Sequence, residues 1–141
     1  MTPACTAFPV ADLTPGLVAN GLTVERGNVA DPFTATVAGV IDDGIAPGVD
    51  MIIVETDSPA IQRAGGVWSG MSGSPVYAPD GRLIGAIAYG LSFTSSPIAG
   101  VTPAADMLAL LARPGAAAGL SPAEEVDLPS TLKQRVVATE Q

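Results

Sequence analysis

Between residues 33 and 41, Phe33, Ala35, Val37, Gly39 and Ile41 alternate with Thr34, Thr36, Ala38 and Val40. A period of two sends successive side chains to opposite faces and predicts a β-strand. Asp42-Asp43-Gly44 predicts the turn that ends it. Residues 49–56 carry the apolar run Met51-Ile52-Ile53-Val54, which predicts a strand buried on both faces. Shorter strands are predicted at 21–26, 76–78, 82–91 and 98–102. The fourth and fifth of these six, 76–78 and 82–91, form a hairpin around Pro79-Asp80-Gly81. Two segments read as helix. Asp57-Ser58-Pro59 offers a cap and a first-turn proline for a short helix over 60–64, stopped by Gly65-Gly66. Residues 103–113 start at Pro103, carry apolar Met107, Leu108, Leu110 and Leu111, and stop before Pro114-Gly115. The apolar face of this second helix is expected to pack on the strands.

This element order is that of an all-β domain with one short C-terminal helix. Sixteen glycines and thirteen prolines among 141 residues fit many turns between short elements. Apolar residues make up 48% of the chain and aromatics only 4%, so the core must come from Val, Ile, Leu and Ala. The organisation read from the chain is an irregular lead-in over 1–19, a barrel domain over 20–113, and a linker opening a further segment over 114–141. A helix or strand near 131–138 is the one element expected in that last part.

The candidate chemistry lies in Gly70-Met71-Ser72-Gly73-Ser74-Pro75. A serine hydroxyl needs a base to take its proton and fixed donors to meet the oxyanion it creates. Glycines beside it permit unusual backbone, so successive N–H groups can converge on one point. The N–H groups of Gly70 and Ser72 are the candidate oxyanion donors, and Ser72 is the candidate nucleophile. The exit from this loop is a β-hairpin rather than a helix, which excludes the elbow of α/β-hydrolases. A serine on a glycine loop that enters a strand pair is the arrangement of chymotrypsin-like (trypsin-like) β-barrels. The chain contains no histidine, so it does not hold the usual base.

The stretch Gly65-Gly66-Val67-Trp68-Ser69-Gly70-Met71-Ser72-Gly73-Ser74-Pro75-Val76-Tyr77 resembles the SpoIVB-type peptidase family, serine peptidase family S55. So does Gly81-Arg82-Leu83-Ile84-Gly85-Ala86-Ile87-Ala88-Tyr89-Gly90, and the likeness runs over roughly residues 8–111. It is most similar to the secreted actinobacterial branch. The resemblance implies a serine endopeptidase acting on protein or peptide substrates, with Ser72 as nucleophile. It implies a catalytic role for Asp57, fifteen positions before the serine. Helix capping is the other reading of Asp57. The family's histidine lies in a Gly-His segment that nothing here matches. The resemblance therefore implies the serine half of a two-barrel peptidase, its histidine supplied by the remaining portion of a longer parent protein or by a partner. Export is implied as well, the location being extracytoplasmic or secreted. The alternative is a non-catalytic module, a pseudoprotease that binds peptide or serves a structural role.

Other chemistries are excluded or weakly signalled. With one cysteine and no histidine, zinc and haem sites are not expected, and no cofactor or metal is implied. A net charge of −8 with six basic residues argues against nucleic acid or an anionic membrane surface. No apolar run approaches a membrane-spanning length. Ser130 and Lys133 match a Ser-x-x-Lys pattern without its partner motifs, which leaves a Ser72–Lys133 dyad as a minor alternative. Trp68 reads as a packing residue or as the wall of a substrate cleft. The loop over 92–96 reads as a border of the specificity pocket or as a plain hairpin loop.

Overall fold

The structure, a computed structural model, describes residues 6–91 and 96–114. Cys5, Lys133 and the elements expected after residue 114 lie outside them.

Six strands close into one barrel: β1 (Val18–Thr23), β2 (Asp31–Ala46), β3 (Val49–Asp57), β4 (Pro75–Tyr77), β5 (Leu83–Gly90) and β6 (Ile98–Pro103). Their order around the barrel is β1-β2-β3-β6-β5-β4, every neighbouring pair is antiparallel, and β1 meets β4 through Asn20↔Tyr77 and Gly21↔Val76. Closure leaves no strand at an edge within the ring, which removes the pairing hazard of open sheets. Helix α1 (Pro59–Ala64) follows β3, a 3-10 turn spans Ser69–Met71, and α2 (Ala104–Leu111) follows β6. Among the described residues no helix is long and apolar enough to cross a membrane.

The interior is filled from one face of each strand, and the alternation predicted for β2 is visible in it. Phe33, Ala35 and Val37 are buried while Thr34 lies exposed and Thr36 half-buried. Ile52, Val54, Val76, Ile84, Ile87, Ala99 and Val101 complete the cluster from the other strands. Gly21 sits opposite Phe33 in the β1–β2 register, and a Cβ on Gly21 would run into the Phe33 ring. Phe33, the one buried aromatic among the described residues, thus fits because its cross-strand partner has no side chain. Residues 6–17 are docked on this barrel rather than loose. Phe8 N–H donates to the Leu83 carbonyl at 2.8 Å, Val37 N–H to the Leu17 carbonyl at 2.9 Å, and Phe8, Val10, Leu13 and Leu17 pack against the core.

Two sequence expectations need correction. The chain does not reverse at Asp42-Asp43-Gly44. β2 continues to Ala46, and the hairpin turns at Pro47-Gly48, where Gly48 has φ 76°. The β2–β3 register slips between Ile41 and Ala46, and Asp43 takes φ 54° inside that bulge. Aspartate tolerates this conformation, and its carboxylate accepts the Gly48 N–H at 2.7 Å. The Asp50 carboxylate accepts the Asp43 N–H at 3.0 Å. The turn-like aspartates therefore serve a bulge. The second correction concerns α2: Ala104 is buried, but Leu108, Leu110 and Leu111 are exposed, so its leucines do not pack on the barrel. It does contact β5 and β6, and its buried residue is Ala104, which continues directly from β6.

On the outside of the Ala78–Arg82 turn, the Arg82 N–H and guanidinium both reach the Asp80 carboxylate, at 3.0 and 2.8 Å. The backbone N–H is the main reason the Asp80 carboxyl lies below its ordinary range, and the guanidinium adds to it. The same guanidinium lies 4.6 Å from the centroid of the Phe8 ring, which ties the docked N-terminal segment to the β4–β5 hairpin.

Candidate active site

The glycine loop sits between α1 and β4. Ser58 opens α1: its Oγ accepts the Ile61 N–H at 3.1 Å, and Pro59 occupies the first turn. Asp57 is therefore not the cap. Gly65 ends the helix in the left-handed conformation, with φ 78°. Gly66 follows with φ 146°, and a Cβ there would collide with the backbone of Ser96. Only glycine lets these two segments approach so closely. Val67 N–H then donates to the Ser96 carbonyl at 2.9 Å. From the other side, Thr56 gives both its N–H and its hydroxyl to the Pro97 carbonyl, at 2.8 and 2.7 Å. Residues 96–97 are thus clamped between the end of β3 and the start of the loop.

The loop itself is anchored from below. Met71 is fully buried in the core, and Met71 N–H donates to the Trp68 carbonyl at 3.0 Å. Gly73 takes φ 87°, and its N–H donates to the Ile87 carbonyl at 2.7 Å, while Ile87 N–H returns a bond to the Ser74 carbonyl at 2.9 Å. Ser74, itself buried, donates from Oγ to Thr23 Oγ1 at 2.9 Å. Between these anchors Ser72 is exposed, with its flanking residues fixed to β5, β1 and the core.

Ser72 lines a cavity of about 200 Å³ together with Val67, Trp68, Ser69, Ile87, Tyr89 and Gly90. Trp68 packs against the core, as its packing reading expects, and it also lines this cavity. Gly70 has no positive φ; its missing Cβ instead leaves space for the Trp68 indole, 3.1 Å from where that atom would stand. Ser72 N–H donates to the Ser69 carbonyl at 3.3 Å, so this expected oxyanion donor is turned into the 3-10 turn.

Asp57 lines a different and larger cavity, about 560 Å³, with Thr36, Glu55, Thr56, Ile61, Gln62, Gly65, Gly66 and Pro97. Its Oδ1 accepts the Gln62 side-chain amide at 2.8 Å. The two cavities share no lining residue, and the clamp of residues 66–67 and 96–97 lies between them. Ser72 and Asp57 therefore line separate cavities, and Gly70 is among the lining residues of neither. The walls formed by Ile87, Tyr89 and Gly90 were not among the sequence-derived candidates, although they fall in the strand that the family pattern covers. Glu55 was missed too: it lies two residues before Asp57 on the same face of β3, a spacing visible in the sequence once the strand is known.

A closed six-strand barrel with a serine-bearing glycine loop entering a hairpin and a helix after the last strand is the fold of trypsin-like serine proteases. The chain is similar to the HtrA-type protease AlgW solved with a decapeptide, with a TM-score of 0.60 and 16% identity over 83% of this chain and 34% of that one. A Ser→Ala variant of AlgW, also with a decapeptide, gives a TM-score of 0.60 at 15% identity, over 95% of this chain and 40% of that one. The chain thus spans less than half the length of these solved proteases. The family profile described as SpoIVB peptidase S55 matches residues 11–107, and the chain belongs to that family. The matched stretch contains Asp57, Gly70 and Ser72. Among curated proteins nothing matches the sequence.

Proposed function

We propose that this chain is the serine-bearing barrel of an exported endopeptidase, in which Ser72 attacks a peptide carbonyl. The observation that carries the reading is the placement of Ser72: exposed at the rim of a side-chain-sized cavity, on a loop whose neighbours are held at Met71, Gly73 and Ser74. Such fixation is what a nucleophile requires, because a small displacement from the productive geometry is costly in rate.

In this reading the N–H groups of Gly70 and Ser72 meet the oxyanion. Ser72 N–H must then exchange the Ser69 carbonyl for the substrate oxygen. At 3.3 Å that bond is longer than the usual 2.7–3.2 Å range, so little is lost in the exchange. A negatively charged oxygen is a stronger acceptor than a peptide carbonyl, which favours the exchange in the transition state rather than in the ground state. The proton of Ser72 goes to a histidine outside this chain, carried by a longer parent protein or by a partner. Asp57 acts in this reading on that base or on the bound peptide, since no hydrogen bond links it to Ser72. The decapeptides bound to AlgW support a peptide as the substrate class.

The test is proteolysis of an unfolded protein substrate by the histidine-bearing parent protein, by the same protein carrying Ser72→Ala, and by this chain alone. The proposal expects cleavage by the first only. Cleavage that survives Ser72→Ala contradicts it. The lack of any histidine in the chain favours a second reading, a peptide-binding pseudoprotease; peptide binding with no cleavage by the parent protein would establish it.

A further inference from the structure

Resting on the peptidase reading of Ser72, we infer that the cavity beside this residue is the site for the side chain of the residue whose carbonyl is attacked, and that it selects a neutral aliphatic side chain. The position follows from geometry. When Ser72 Oγ bonds to a peptide carbonyl carbon, the side chain on the acyl side of that carbon lies next to the serine, and Ser72 is itself part of the cavity wall.

The selectivity follows from the lining. Besides Ser72 the lining is Val67, Trp68, Ile87, Tyr89 and Gly90, with Ser69 as a second neutral hydroxyl. None of the described residues around the cavity carries a charge. A lysine, arginine, aspartate or glutamate entering it would lose hydration with no partner for its charge, which is strongly unfavourable. The volume of about 200 Å³ lies below the roughly 300–1,000 Å³ of small-molecule sites and suits one side chain. An aliphatic side chain gains from transfer into this space roughly in proportion to the area it buries.

Gly90 lines the cavity without a side chain of its own. A Cβ built on Gly90 has no atom within 4 Å, and its φ lies outside the left-handed region, so the backbone accepts a side chain there. Such a side chain would take up cavity space without a backbone clash. Gly90→Val therefore narrows the site and penalises the longer aliphatic groups first.

The experiment uses the single tryptophan, Trp68, as reporter, because it forms part of the wall. Acetylated tripeptide amides ending in Leu, Ala, Lys or Asp are titrated into this chain and followed by Trp68 fluorescence. The Leu peptide is expected to bind about tenfold or more tighter than the Lys and Asp peptides. That ratio reflects the cost of taking an unpaired charge out of water, which exceeds what about a tenfold difference requires. In Gly90→Val the preference for Leu over Ala is expected to vanish or reverse. Equal binding of the Lys or Asp peptide overturns the inference. So does a Leu preference untouched by Gly90→Val, or the lack of any fluorescence response. Reaction of Ser72 with a fluorophosphonate in the histidine-bearing parent is scored separately. Reaction without side-chain preference removes the cavity assignment alone. Preference without reaction removes the peptidase reading on which the assignment rests.

Discussion

Ser74 Oγ donates a 2.9 Å hydrogen bond to Thr23 Oγ1, and this contact ties the glycine loop to the end of β1, across fifty-one residues of sequence. Both residues are buried. Removing one hydroxyl leaves the other without its partner in a site that water does not reach readily. Ser74→Ala is expected to cost roughly 1–3 kcal/mol of unfolding free energy, measured by urea denaturation. Replacing both residues with apolar ones of similar shape, Ser74→Ala with Thr23→Val, is expected to cost less than the sum of the single changes. Additive losses would show that the two hydroxyls do not act as a pair.

Gly66 lines the cavity that holds Asp57 and has no room for a side chain. With φ 146° and the Ser96 backbone in the way, Gly66→Ala is expected to destabilise the fold by at least about 2 kcal/mol. It is also expected to weaken the Val67–Ser96 hydrogen bond, which amide hydrogen exchange at Val67 reports. Unchanged stability and protection would mean that residues 66 and 96 are not packed together in solution.

Ser58 and Asp57 are adjacent but do different work, and substitution separates them. Ser58→Ala removes the N-cap of α1 and is expected to cost about 0.5–2 kcal/mol. Asp57→Asn keeps an oxygen that can accept from Gln62 at an exposed position, and its effect on stability is expected to stay within about 0.5 kcal/mol. Loss of activity on Asp57→Asn in the longer histidine-bearing protein proposed above would then report a chemical role rather than a folding defect. Full activity would end the catalytic assignment of Asp57.

The leucines of α2 and the isoleucine at the centre of the barrel make a second contrast. Ile52 is fully buried, so Ile52→Ala is expected to cost about 2–5 kcal/mol. Leu111 is 78% exposed, and Leu111→Gln is expected to change stability by no more than about 0.5 kcal/mol, checked in the same denaturation series.

Strand period and turn residues revealed most of the barrel, because alternation at Phe33, Ala35 and Val37 and the apolar run at Met51 to Val54 reflect burial directly. The reversal at Pro47-Gly48 was hidden behind a stronger local signal: Asp42-Asp43-Gly44 looks like a turn, and only the partner strand shows that it is a bulge. The leucines of α2 misled for a related reason. A run of apolar residues says that a helix can pack, while the exit direction from β6 decides whether it does. Within the site, Ser72 and Gly70 stood out by their spacing, and the closeness of the loop to Ile87, Tyr89 and Gly90 did not, since it depends on how β5 passes beneath Gly73. Thr23 gave no sign of its part, being one threonine among several until the barrel closes.

The central claim is that Ser72 is a nucleophile waiting for a base from outside the chain. The most direct measurement is covalent labelling with a fluorophosphonate probe, located by mass spectrometry, with Ser72→Ala as the control. It compares this chain alone with the longer histidine-bearing protein proposed as its parent. Without a base only weak residual reactivity remains. The account predicts negligible labelling of the chain alone and rapid labelling at Ser72 in the parent protein. Rapid labelling of Ser72 in the isolated chain would contradict it, and so would a parent protein in which Ser72 stays unlabelled.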